Sequence, residues 1–348
     1  MPRQETLWNS ISLSLNSAPE FSLSHPLEAG IRAGRRREIA RAITLVESNR
    51  ADHRRSAEQL LQSLRGCDRQ AIRLGISGVP GVGKSTFIEA LGSRLIERDY
   101  TVAVLSIDPS SAISGGSILG DKTRMERLSR SKGAYIRPSP SAGSLGGVAR
   151  RTRESILILE AAGFDVVIVE TVGVGQSETV VSGMTDLFLL LLLPGGGDEL
   201  QGIKRGIMEL ADIVAINKAD DDLEAAAGRS VAEYKQALGL IQRRIKDWPV
   251  PVMSCSARDD SGIGEIWAEI EKFMSLIKSR GILDQRRAAQ SVTWFREELN
   301  NQLLDIIQQS SNLSRQLEQL ENRVRNGVLT APAAARDLID NLMNRSEN

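Results

Sequence analysis

Eight residues constrain this chain more than any others. Gly78-Val79-Pro80-Gly81-Val82-Gly83-Lys84-Ser85 spells G-x-x-x-x-G-K-S. The run before it, IRLGIS, reads as a strand, and the stretch after it, TFIEALGSRLIE, reads as a helix. Strand, glycine-rich turn and helix in that order are the context of a phosphate-binding loop. Glycines let the backbone come close enough to aim several amide N–H groups inward. The helix N-terminus adds positive potential for phosphate oxygens. Lys84 is placed to reach the terminal phosphates and the Ser85 hydroxyl to bind Mg²⁺. Gly78, Pro80, Gly81, Val82, Gly83 and Thr86 complete the expected nucleotide cradle.

A loop of this kind needs a parallel sheet behind it, and the pattern supplies one. Short apolar runs at 72–77, 102–107, 166–170, 187–193, 213–217 and 250–254 read as strands. Helical stretches at 85–98, 150–162, 201–210, 223–238 and 264–279 alternate with them. Continuous apolar strands separated by helices imply α/β architecture, a mostly parallel sheet covered on both faces. We therefore expect a P-loop domain over 71–283.

The flanks read differently. Residues 1–27 show no sustained periodicity and are expected to be a loosely packed tail. Residues 28–70 read as an N-terminal helical extension, with Ile39, Ile43, Val46, Ala57, Leu60, Leu61 and Leu64 at helical spacing and an Arg35–Arg37 cluster on a solvated face. From 284 to 348 the chain is helical again. Val292, Phe295, Leu299, Leu303, Ile306, Leu313, Leu317, Leu320 and Val324 form a near-heptad stripe interrupted by Ser310. Such a stripe is buried either against its own domain or against a second subunit. A last helix is expected near Thr330, with Pro332 in its first turn.

Composition narrows the chemistry. Lys+Arg and Asp+Glu both number 44, so nothing marks a globally basic nucleic-acid binder. Two His (His25, His53) and two distant Cys (Cys67, Cys255) build neither a zinc site nor a disulfide framework. Carboxylates, Lys, hydroxyls and backbone amides are left to do the work. The longest apolar run, Leu187 to Leu193, is far short of the roughly 20 residues of a membrane span. A soluble, cytoplasmic protein with no membrane partner is expected.

The base is legible too. Asn217-Lys218-Ala219-Asp220 follows the run IVAI, where G domains read guanine. The Asp220 carboxylate can accept from the ring N–H and the exocyclic amine together, a donor pair adenine lacks. Lys218 would pack over the base, and Ser256-Ala257 at the next strand end would support it. Glu170, at the end of VVIVE, and Gly173 look like an Asp-x-x-Gly segment with Glu in place of Asp. Its carboxylate is expected near Mg²⁺, and the Gly173 N–H near the γ-phosphate. Asp108 and Asp121, on loops, are further candidate Mg²⁺ ligands. Val174 stands where many GTPases carry a water-orienting Gln, and Gln176 lies two residues further on, so unassisted hydrolysis should be slow.

The segments GVPGVGKST, IDPSSAISGGSILGDKTRM, IRPSPSAGSLGGVARRTRE, FDVVIVETVGVGQSE, LLPGGGDELQGIKRGI and NKADD occur in that order. Together they resemble the MeaB/ArgK family from about residue 30 to 285. The resemblance implies a GTPase chaperone of adenosylcobalamin-dependent methylmalonyl-CoA mutase, or of a related acyl-CoA mutase. In that role GTP and GDP gate cobalamin loading, and the protein protects or reactivates the mutase. It further implies a homodimer made by the C-terminal arm, and Lys84, Glu170 and Lys204 as catalytic residues. Asp198, Glu199, Gln201 and Lys204 would belong to a switch that carries the signal to the partner. A dimeric nucleotide-dependent scaffold, a metallochaperone GTPase and a transport-linked kinase are the rival readings.

Overall fold

The computed structural model describes residues 24–66, 70–107, 125–139, 145–171, 177–195, 205–241 and 244–343. The chain forms two compact units, divided between Leu283 and Asp284.

In the first unit the described residues form a seven-stranded sheet: β1 (Ile72–Gly78), β2 (Val102–Ile107), β3 (Ala134–Ser139), β4 (Val166–Thr171), β5 (Leu187–Leu192), β6 (Ile213–Ile216) and β7 (Val252–Ser254). The order is β3-β2-β4-β1-β5-β6-β7, and every neighbouring pair is parallel. Every residue of β2, β4, β5 and β6 is buried, as a sheet covered on both faces requires.

Alternation divides the strands between two cores. Val166 and Ile168 face a cluster built with α4 (Lys84–Glu97) and α10 (Ile263–Ser279). Val167 and Val169 face the other side, where α1 (Glu28–Arg32), α2 (Arg36–Glu47), α3 (Ala51–Ser63) and α6 (Leu145–Ala161) pack. The N-terminal helices therefore complete the core of the sheet: Ile31, Ile39, Ile43, Val46 and Leu60 are fully buried. A third cluster joins β5, β6 and β7 to α9 (Glu224–Gly239) through Tyr234 and Leu238.

Three aspartates fasten the strand beginnings. Asp165 accepts from the Thr101 N–H (2.8 Å) and hydroxyl (2.7 Å), Asp186 from the Arg73 N–H (2.9 Å), and Asp212 from the Phe188 N–H (3.0 Å). Each stands one residue ahead of its strand and ties it to a neighbour in the sheet.

β3 was not foreseen. Arg137 and Pro138 break its apolar pattern, and an edge strand, paired on one side alone, tolerates both. Arg36 of α2 covers the approach to this edge, its guanidinium donating to the carbonyls of Ser131 and Lys132 (2.9 Å each) and Ala134. Two short helices, α5 (Glu126–Arg130) and α7 (Ser177–Ser182), also lie below what periodicity detects, and α6 begins five residues before the expected start. The helix expected over 201–210 is described as α8 (Arg205–Leu210).

In the second unit the apolar stripe is divided between two helices. α11 (Ile282–Gln309), which starts in the first unit, ends before Ser310, and α12 (Ser311–Arg325) begins after it. Ser310 is extended (φ −80°, ψ 111°), and its side chain caps α12 by accepting from the Leu313 N–H. α12 packs on α13 (Ala331–Met343), burying Leu313, Ala334 and Leu338. Along α11, Val292, Phe295, Leu299, Leu303 and Ile306 stay 46–65% exposed. Among the described residues no helix is long and apolar enough to cross a membrane.

Candidate functional site

The site lies at the carboxyl ends of β1, β4, β6 and β7, where open α/β sheets bind ligands. After β1 the chain turns through Gly81 (φ 81°) and Gly83 (φ 93°), both in the left-handed region. Val82 between them is fully buried and anchors the loop in the core. A Cβ on Gly83 would stand 2.8 Å from the Asn217 amide nitrogen, and one on Gly78 would stand 2.4 Å from the Leu191 carbonyl oxygen. Both positions therefore require glycine for space.

Lys84 opens α4 with its side chain folded back over the loop. Its Nζ donates to the carbonyls of Gly78 (2.7 Å) and Val79 (3.3 Å). Burial lowers its pKa, and the negative charges of Glu170 and Glu178 act in the opposite sense. Ser85 Oγ donates to Glu170 Oε1 (3.3 Å), and Ser106 Oγ approaches Glu170 Oε2 (3.5 Å). Thr171 next to it bonds Ser77 (2.8 Å), tying β4 to β1. A buried carboxylate facing a hydroxyl at the start of the phosphate-loop helix is a donor set that suits Mg²⁺, which takes few protein oxygens and keeps several waters. Among the described residues no three His, Cys, Asp or Glu side chains converge to hold a metal by themselves.

On the base side Asn217 joins two loops. Its Nδ2 donates to the Val82 carbonyl (2.8 Å), and its Oδ1 accepts from the Ala257 N–H (3.1 Å). Lys218 is exposed with φ 63°. Asp220 accepts from the Ser256 hydroxyl (2.7 Å). Gly262 (φ 73°) closes the loop after β7, where a Cβ would stand 2.5 Å from the Ser254 carbonyl oxygen. Cys255 is buried beside Asn217, and burial pushes its thiol up to about 12.

The structure thus brings together Gly78, Val82, Gly83, Lys84, Ser85 and Glu170, and links them through Asn217 to Asp220, Ser256 and Ala257. Pro80, Gly81 and Thr86 lie exposed along the loop and the first turn of α4. Asp108, Asp121, Gly173, Asp198, Glu199, Gln201 and Lys204 fall outside the described residues, as do Cys67, Val174 and Gln176. The sequence reading missed Glu178, a buried acid in the first turn of α7 whose charge reaches Lys84. An acid two residues beyond Gln176 was the available signal, but nothing local says that it turns inward.

A parallel sheet with a phosphate loop after β1 and an Asn-Lys-x-Asp loop after β6 defines the class: this is a P-loop GTPase. The sequence profile of the family described as methylmalonyl Co-A mutase-associated GTPase MeaB matches residues 39–312, and the chain belongs to that family. A protein called putative GTPase from Caulobacter vibrioides is 52% identical over 318 residues, 91% of this chain and 96% of that one. GTPase ArgK of Escherichia coli is 46% identical over 308 residues, 88% and 93% of the two chains. The mouse (Mus musculus) protein named methylmalonic aciduria type A homolog, mitochondrial, is 45% identical over 323 residues, 90% of this chain and 78% of that one. Among solved structures, one described as a LAO/AO transport system kinase superposes with a TM-score of 0.73 at 37% identity, covering 94% of this chain and 99% of its own. The family expected from the sequence motifs is borne out.

Proposed function

We propose that this GTPase is the chaperone of an adenosylcobalamin-dependent acyl-CoA mutase, methylmalonyl-CoA mutase in the first instance. GTP binding and hydrolysis gate cobalamin loading and protect or reactivate the partner. The observation that carries the nucleotide part is the Lys84, Ser85 and Glu170 constellation, joined through Asn217 to Asp220. Family membership supports the partner, because the family is described as mutase-associated and a relative is named for methylmalonic aciduria.

In this reading Lys84 leaves the Gly78 and Val79 carbonyls to meet the terminal phosphates. Bound Mg²⁺ would neutralise developing phosphate charge, held by Ser85 and Glu170, with Asp108 and Asp121 as further ligands. Gly173 senses the γ-phosphate, while Asp198, Glu199, Gln201 and Lys204 relay its presence to the mutase, Lys204 also contributing to catalysis. Unassisted turnover is slow, because Val174 stands where a water-orienting Gln is usual. The protein works in the cytoplasm as a homodimer.

A dimeric scaffold that needs no turnover is the rival. A metallochaperone role is disfavoured by the described Cys and His: Cys255 is a buried, high-pKa thiol, while His25 and His53 bond Ser56 and Ser48. Asp220 speaks against an ATP-using kinase. Mutase pull-down and GTP hydrolysis with and without the mutase test the proposal. Added mutase should accelerate wild-type turnover, while Lys84→Ala or Glu170→Ala should lower it roughly a hundredfold or more. Either variant still activating the mutase in full would hand the role to the scaffold.

A further inference from the structure

The guanine-reading carboxylate assigned above is already gripped in this structure, and the group that grips it has no role so far. Asp220 starts the loop Asp220-Asp221-Asp222, and Arg258-Asp259-Asp260 follows the base-supporting Ser256-Ala257. The two acidic segments meet across the mouth of the base site. Arg258 bridges them: its Nη2 lies 2.7 Å from Asp221 Oδ2 and 3.5 Å from Asp220 Oδ1, and its Nε lies 2.9 Å from Asp259 Oδ1. One planar guanidinium thus serves three carboxylates from two loops, which a point-charge ammonium cannot do with the same geometry.

The surroundings make this more than a surface ion pair. The Asp220 side chain is only 13% exposed, and Ser256 Oγ, which donates to it, also accepts from the Asp259 N–H (3.1 Å). Asp221 is held at φ 47°, a conformation L residues seldom adopt unless contacts fix it. Behind the loop, Arg94 of the phosphate-loop helix clamps Asp260 at 2.6 Å. The base loop is therefore tied down at its back by Arg94, and at its mouth by Arg258, whose side chain is 57% exposed.

We propose that Arg258 is a positioning residue for guanine: it orients the Asp220 carboxylate and clasps the two base loops together, so that nucleotide release is governed by an exposed ion-pair latch. Without it Asp220, Asp221 and Asp259 lose the cation they share, and their mutual repulsion favours parting of the two loops. The inference rests on Asp220 reading the base.

Stopped-flow displacement of fluorescent mant-GDP from the full-length chain at low and high KCl tests it. Arg258→Ala should release mant-GDP roughly five- to tenfold faster, the scale of several exposed charge-assisted contacts. Salt should speed release from the wild type and have little effect on Arg258→Ala, because screening acts on the latch. Arg258→Lys should restore part of the retention, and the thermal midpoint of both variants should stay close to the wild type. Release rates and salt response within twofold of the wild type in Arg258→Ala, with Asp220→Asn still weakening binding, would overturn the latch. If Asp220→Asn leaves mant-GDP binding unchanged, the assignment of the base site fails, and the latch with it.

Discussion

At the scale of single residues, the phosphate loop shows how backbone conformation and reach combine. Gly83 has to be glycine on two counts: φ of 93° strains any L side chain, and the Asn217 amide fills the space a Cβ would take. Asn217 holds Val82 and Ala257 at once, so pushing it aside loosens both loops. Gly83→Ala should therefore weaken GTP binding at least about tenfold, a cost in the range of backbone strain, while far-UV circular dichroism stays native. Fluorescent-nucleotide titration checks this, and unchanged affinity would mean that Asn217 does not couple the loops. Gly83, Lys84, Ser85, Asn217 and Asp220 were all legible in the sequence, because each belongs to a motif whose spacing is itself set by the chemistry. Glu178 and Arg258 were not. Their roles depend on where a neighbouring loop brings its charges, and no window of sequence carries that information.

At the scale of elements, strand type was read well where burial is complete and poorly where it is not. β5 is an unbroken apolar run, and β2 and β4 are apolar through Leu105 and Val169, because both faces are covered. β3 escaped notice because an edge strand accepts Arg137 and Pro138. The aspartates ahead of β4, β5 and β6 are a further device, visible in the segments FDVV, TDLF and ADIV only after the structure shows what they bond. Asp212 is buried, and its carboxylate satisfies the Phe188 N–H at the start of β5. Asp212→Ala should cost about 1–3 kcal/mol through that orphaned donor, and Asp212→Asn, which keeps an acceptor, should cost less. The urea midpoint measures both. Equal losses in the two variants would point to charge, with Arg244 at 4.0 Å the cation concerned.

At the scale of the whole molecule, the two units differ in how their apolar surface is used. Among the described residues up to Leu283, Leu223 and Leu240 are the exposed large hydrophobics. Along α11 five such side chains are about half exposed on one face, a pattern expected of a surface awaiting a partner. If a second copy covers the stripe, Leu299→Glu with Leu303→Glu should reduce the particle mass in light scattering to that of the 38.0 kDa chain. GTP binding should survive, since these positions lie outside the nucleotide unit. A wild-type protein that is already monomeric would remove the stripe's assigned role. The sequence by itself determined the phosphate loop, the parallel sheet and the preference for guanine, because these follow from local spacing and burial. Tertiary structure alone decided that the N-terminal helices complete the core, that Glu178 reaches Lys84, and that Arg258 closes on Asp220. Each of these depends on strand order and crossover, which join residues far apart in the chain, and the energies that select such contacts are summed over the whole fold.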